Sequence, residues 1–278
     1  MPASIHLNAD LGEGFGVYPA PMQVWRAQLD RGGELVPATA ELPSPRRIME
    51  SVSAVNLACG FHAGDPLLIK ESVALAAETG CGVGAHPSFP DRAGFGNRYM
   101  ELSPGDLKAM LQYQFGVLEG FLRIYRLPLS HVKCHGALYN RSMSDETLAR
   151  TVAEAVAEYD PDIPLYGLPD SALQTAAEWL GVPFVREGFA DRAYHQNGQL
   201  VDRRRDDAMV LDPEAVAQRV TDMAREGTVT TIDGPVIKID PQTVCFHPDT
   251  PGMMAMLEST RQHLTEAGIT VSRASDRA

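Results

Sequence analysis

Residues 52–86 read VSAVNLACGFHAGDPLLIKESVALAAETGCGVGAH. The run Val52–Ala58 is short and apolar, as expected of a strand covered on both faces. Asp65-Pro66 then places a capping oxygen before a proline at a first helical position, and Gly80 stands where that helix should stop. Gly82–His86 is a second short apolar run. The stretch therefore predicts a strand–helix–strand unit with parallel strands, and each strand leads into a histidine, His62 and His86.

The same grammar recurs along the chain. Further strand candidates are Ile5–Asn8, His131–His135, Ile163–Leu168, Val182–Arg186, Thr243–His247 and Ile269–Val271. Ser103-Pro104, Asp212-Pro213 and Thr250-Pro251 predict helix starts, and Gly181, Gly227 and Gly268 predict stops. Within 103–125, Leu107, Met110, Leu111, Leu118, Phe121, Leu122 and Tyr125 form one core-facing stripe. Seven or eight such units favour a closed TIM-like (β/α) barrel over an open doubly wound sheet. The whole chain, 1–278, reads as one barrel domain. Two segments break the repeat: Val17–Arg47, with five prolines, reads as an irregular insertion, and Thr228–Asp240 reads as a hairpin around Asp233-Gly234.

Composition narrows the function. The 278 residues are 44% hydrophobic and carry 24 basic against 36 acidic side chains, a net charge of −12. An acidic chain gains little from a polyphosphate backbone, which argues against nucleic acid as a partner. No apolar run reaches membrane-spanning length, and the opening residues do not read as a signal peptide. Four isolated cysteines fit reduced thiols, so a cytoplasmic location is expected.

The polar residues gather at predicted strand ends. His62, His86, His135 and His247 lie at or just after such ends, together with Asn8, Asp10, Glu13, Asn56, Lys133 and Asp249. In a parallel barrel these ends converge on one mouth, where active sites are built. A single strand-end histidine is more often structural than catalytic; four together, with carboxylates nearby, point to a catalytic mouth. Gly12-Glu13-Gly14-Phe15-Gly16 is a weak phosphate-loop pattern, because prolines 19 and 21 deny it the following helix. Neither a P-loop nor a G-x-S-x-G elbow occurs. Strand alternation places Lys133 and His135 on one face and Cys134 on the other.

At these residues the chain resembles the LamB/YcsF family. The resemblance is carried by HLNADLGEGFG (6–16), NLACGFHAGDP (56–66), GAHPSFPDR (84–92), HVKCHGALYN (131–140), FADRAY (189–194) and HPDTPG (247–252). It implies a seven-stranded TIM-like barrel related to polysaccharide deacetylases. It also implies the A-type subunit of an ATP-dependent 5-oxoprolinase, opening the lactam of 5-oxoproline to L-glutamate with ATP as co-substrate and two other subunits as partners. The chain departs from the family's usual pattern at Ala9 (usually cysteine), Cys134 (usually proline), Pro248 (usually glycine) and in the length of 17–47.

Hydrolysing an unstrained lactam needs a base for water, a stabiliser for the oxyanion and an acid for the departing nitrogen. Asp10 is assigned as base, His135 or His62 as acid and Lys133 as charge stabiliser. Asn8, Glu13, Asn56, His86, Arg92, Asn140, Asp191, Arg192, His247 and Asp249 would hold substrate. A metal-dependent amidohydrolase or deacetylase, with Asp10, His62 and His86 or His135 around a divalent ion, is the alternative. A non-catalytic lactam-binding subunit is another. Phosphoryl transfer organised on another subunit would account for the missing nucleotide motif, and a partner capping the mouth would exclude water from a reactive acyl phosphate.

Overall fold

The computed structural model describes residues 4–14 and 43–273. Six parallel strands form the main sheet in the order β3-β2-β1-β8-β5-β4. They are β1 (Ser4–Leu11), β2 (Ala54–Ala58), β3 (Gly82–His86), β4 (Leu165–Gly167), β5 (Phe184–Phe189) and β8 (Thr243–Phe246). Residues 131–135 fill the gap between the two edge strands. The Lys133 N–H donates to the Ala85 carbonyl and the Tyr166 N–H to the Val132 carbonyl, both at 2.9 Å. Val132 thus bridges β3 and β4 in parallel fashion, and the ring closes as a seven-stranded barrel. The expected TIM-like architecture is the one found. The short strand β9 (Thr270–Val271) adds to β1 outside this ring.

Helices α1 (Pro45–Ser51), α2 (Pro66–Thr79), α3 (Pro104–Tyr125), α4 (Gly136–Ser142), α5 (Glu146–Tyr159), α6 (Ala172–Leu180), α7 (Pro213–Glu226) and α8 (Met253–Glu266) surround it. Their starts follow the capping chemistry. Asp65 accepts from the N–H groups of Leu67 and Leu68, Ser103 from Asp106 and Asp212 from Ala215. Gly80, Gly181 and Gly227 close α2, α6 and α7 in the left-handed conformation that glycine adopts without penalty. The expected cap at Thr250 is corrected: α8 begins at Met253 with Gly252 before it, and the Thr250 hydroxyl is held by Asp191 three residues short of the helix. Between α7 and β8, β6 (Thr228–Thr230) and β7 (Val236–Lys238) pair as an antiparallel hairpin. The insertion 17–47 lies outside the described residues except for 43–47, where Pro45 opens α1.

Strand alternation separates two interiors. Leu7, Ala9 and Leu11 of β1 join Val55, Leu57, Val83, Cys134 and the inner faces of the helices in one apolar cluster. Asn8 and Asp10 of the same strand point the other way, into the lumen. There the Asn8 amide donates to Glu187 Oε1 (3.0 Å) and Thr243 Oγ1 (2.9 Å). The Asn56 amide in turn donates to Asn8 Oδ1 and Asp10 Oδ1, both at 2.7 Å. The His131 Nε2–H donates to Asn56 Oδ1 at 2.6 Å, and its ring stacks on Tyr166 with centroids 4.0 Å apart. These bonds tie β1, β2, β5, β8 and 131–135 together across the lumen and make a floor beneath the mouth. Ala9 and Cys134, two of the departures from the family pattern, belong to the apolar cluster and not to this floor.

Candidate active site

The last residues of the strands build the site on that floor. Lys133 is buried, with its ammonium 2.9 Å from Asp10 Oδ1, 2.9 Å from Cys245 Sγ and 3.2 Å from Glu187 Oε1. Three acceptors face its three N–H groups, and the Phe189 ring lies with its centroid 5.3 Å away. Burial alone would raise the Asp10 carboxyl, but His86 and Lys133 overcome it and hold Asp10 well below the usual carboxylate range. Lys133 stays charged by the same balance: burial opposes its charge, and Asp10, Cys245 and Glu187 restore it.

Two histidine arrangements flank this pair. On one side the His247 Nδ1–H donates to Asp191 Oδ1 at 2.8 Å, and the Thr250 hydroxyl donates to Asp191 Oδ2 at 2.5 Å. The other His247 nitrogen, Nε2, is left 3.9 Å from Asp10 Oδ2. Burial works against the charge of Asp191, but His247 outweighs it and brings its carboxyl down to about 2. On the other side His62, His86, His135 and Glu13 converge. The His62 and His135 rings stack with centroids 3.9 Å apart, and His135 Nδ1 lies 3.0 Å from His86 Nε2. Burial, reinforced by the neighbouring histidines, holds His62 and His135 well below the usual imidazole range. Burial, with Asp10 and Asp249 nearby, pushes the Glu13 carboxyl well up.

These two arrangements and the ion pair between them contain Asp10, Glu13, His62, His86, Lys133, His135, Asp191 and His247. Asn8 and Asn56 lie beneath them in the lumen. Asp249 sits at the rim, where the Arg203 guanidinium donates to Asp249 Oδ2 at 3.0 Å. Arg92 is exposed and donates to the Gly60 carbonyl, tying the loop after β2 to the loop after β3. Arg192 is buried and donates to the Val201 carbonyl at 2.6 Å, so it braces the loop that carries Arg203. Asn140 is exposed on α4. Three groups at the site escape the reading of the sequence: Glu187, Cys245 and Arg203. Glu187 has a readable signal, a carboxylate inside an apolar strand, obscured because the apolar run reads as ending at Arg186. Cys245 is two residues from Thr243 in β8 and two from His247 just beyond it, so it shares their face on the lumen side.

The LamB/YcsF family model matches residues 33–278. The chain belongs to the LamB/YcsF family. The A-type 5-oxoprolinase subunit of Limosilactobacillus fermentum is 40% identical over 267 residues, covering 96% of this chain and 98% of that protein. The Bacillus subtilis protein of the same name is 39% identical over 272 residues, covering 98% and 97%. Among solved structures, the lactam utilization protein of Thermus thermophilus superposes with a TM-score of 0.84. It is 39% identical, and the match covers 98% of this chain and 99% of that one. Among the described residues no helix is long and apolar enough to cross a membrane.

Proposed function

We propose that this chain is the lactam-opening subunit of a cytoplasmic, ATP-dependent 5-oxoprolinase that works with two other subunits and yields L-glutamate. The observation that carries the reading is the buried Lys133–Asp10 pair between histidines at the barrel mouth, in a chain that spans nearly the full length of relatives named as 5-oxoprolinase subunits. ATP would activate the lactam by phosphorylating its carbonyl oxygen, after which water attacks a far better electrophile.

The geometry favours His247 as the proton acceptor for that water. Its Nδ1–H is committed to Asp191, which leaves the Nε2 lone pair at the mouth. Asp10, held far below the usual range, is a weak base. Its charge would instead stabilise the imidazolium that forms on His247. Lys133 spends its three N–H groups on Asp10, Cys245 and Glu187, so it keeps Asp10 ionised and in place. The Arg203–Asp249 pair at the rim supplies a cation for the carboxylate or the acyl phosphate of the substrate.

The test is an assay of 5-oxoproline and ATP with the chain alone and with both partner subunits. Glutamate formation coupled to ATP hydrolysis only in the full assembly supports the reading. Glutamate formation without ATP would favour the metal-dependent amidohydrolase, and binding without turnover in the full assembly would mark a lactam carrier.

A further inference from the structure

The contact between His86 and His135 is short of a proton. The His86 Nδ1 lies 2.8 Å from the Lys133 carbonyl oxygen, and the His135 Nε2 lies 2.8 Å from the Phe95 carbonyl oxygen. A carbonyl only accepts, so each of these nitrogens carries the ring's N–H. The remaining nitrogens, His86 Nε2 and His135 Nδ1, then face one another across 3.0 Å with a lone pair each. Two lone pairs at that distance repel unless a cation, either a third ring proton or a metal ion, lies between them, and His86 Nε2 also lies 3.4 Å from Asp10 Oδ2. Glu13 Oε1 adds a third donor atom, 3.5 Å from His135 Nδ1 and 3.8 Å from His62 Nε2. His62 is buried with neither ring nitrogen hydrogen-bonded, and Glu13 Oε1 is in the same condition. Leaving such groups unpaired is costly unless a ligand satisfies them.

We infer that Glu13, His62, His86 and His135 form a binding site for one divalent transition-metal ion of the zinc class. A tetrahedral ion bound at about 2.1 Å holds its donors about 3.4 Å apart. The separations of 3.0, 3.5 and 3.8 Å bracket that spacing. Three imidazoles and a carboxylate suit a borderline ion, not the hard all-oxygen cations. The carbonyl bonds of His86 and His135 are the supporting contacts that fix the tautomer of a metal-binding histidine. His62 lies flat against His135 and must turn about its side-chain bonds to aim a lone pair inward; no hydrogen bond to its ring resists that turn.

The neighbouring group Asp10, Cys245 and His247 also brings three potential donors together, but there the Lys133 ammonium already supplies the cation. The two centres divide the mouth into one cation built into the chain and one taken from solution. With four protein donors the metal centre is closed, as structural sites are. It would pin the turn after β1, the loop after β2, the end of β3 and the end of 131–135 to one point. Glycine makes room for it: a Cβ at Gly96 would overlap the Ser88 hydroxyl and crowd His135 and His62.

The inference does not depend on the lactam reading, and its test needs neither substrate nor partner subunits. The full chain is stripped with a chelator and Zn2+ or Co2+ alone is added back. One ion per chain is expected, with the visible absorption of four-coordinate Co2+. Glu13→Gln and His135→Gln should each lower affinity by at least about 100-fold, the upper end of what losing a supporting contact alone costs. The control His263→Gln, at a half-buried histidine on α8 away from the mouth, should bind as the unsubstituted chain does. Substoichiometric uptake by the unsubstituted chain would overturn the inference, as would unchanged affinity in folded Glu13→Gln and His135→Gln. Should His135→Gln not fold, the stoichiometry and Co2+ spectrum of the unsubstituted chain, with Glu13→Gln, decide the matter.

Discussion

Lys133 and Asp10 meet at 2.9 Å inside the barrel mouth, and both are buried. Their pairing makes one side chain structural and the other electrostatically defined. Lys133 also satisfies Glu187 and Cys245, while Asp10 is shared with the Asn56 amide below. Breaking a buried pair leaves an uncompensated charge, which is a larger loss than the pair's own net worth. Lys133→Met should therefore destabilise the chain by about 3–5 kcal/mol. Denaturant unfolding measures this, and a change below about 1 kcal/mol would show that Asp10 and Glu187 are not held by Lys133.

A carboxylate just past a strand end reads, in the sequence alone, as important for chemistry and nearly neutral for folding. The buried pair changes that expectation for Asp10. Asp10→Asn should both lower the melting temperature and reduce turnover by about 10²-fold or more. The two effects are separated by assaying at a temperature where the variant's circular dichroism shows it fully folded.

His247→Gln keeps a side chain that can donate to Asp191 but removes the ring nitrogen that faces Asp10. Turnover by the assembled enzyme should fall by about 10²–10⁴-fold, the range for losing a positioned acid–base group. The KM for 5-oxoproline should change much less. A loss confined to KM would make His247 a substrate contact.

Acid stability should carry the mark of Asp191. Its carboxyl lies at about 2 in the folded chain against 3.8 for an ordinary aspartate. A depressed carboxyl contributes in full above its unfolded value and loses that contribution as pH falls through its folded value. The window thus runs from about pH 4 down to about pH 2, and the contribution is about 2 kcal/mol. Asp191→Asn should flatten the stability profile there by that amount. An unchanged profile would assign the acid sensitivity to other carboxylates.

Gly84 sits where a Cβ would overlap the His131 ring. Gly84→Ala should force that ring off Asn56 and Tyr166 and cost about 1–3 kcal/mol, as overpacking does. Calorimetric melting of the variant measures it, and an unchanged melting temperature would show that the ring has room to move.

Much of this molecule is legible in its sequence. Capping oxygens followed by proline announce α2, α3 and α7, and short apolar runs announce the strands whose ends carry Asp10, His86 and His247. The misses have local causes. Thr250 looks like a cap, but its hydroxyl is engaged by the buried Asp191 carboxylate of another loop, and the helix begins only after Gly252. Glu187 is hidden because β5 runs through a charged Arg-Glu pair, and only the lumen explains a carboxylate there. The missing proton between His86 and His135 depends on which carbonyls their outer nitrogens meet, and each of those carbonyls lies 40 or more residues away along the chain. No spacing rule contains that.

Whether this barrel opens an activated lactam made with the help of other subunits is tested most directly by 5-oxoproline-dependent ATP hydrolysis, with glutamate quantified in the same sample. The purified chain alone should show none, and adding both partner subunits should produce ATP hydrolysis and glutamate in step. Coupled turnover by the chain alone, or its absence in an assembly that binds 5-oxoproline, would contradict that role.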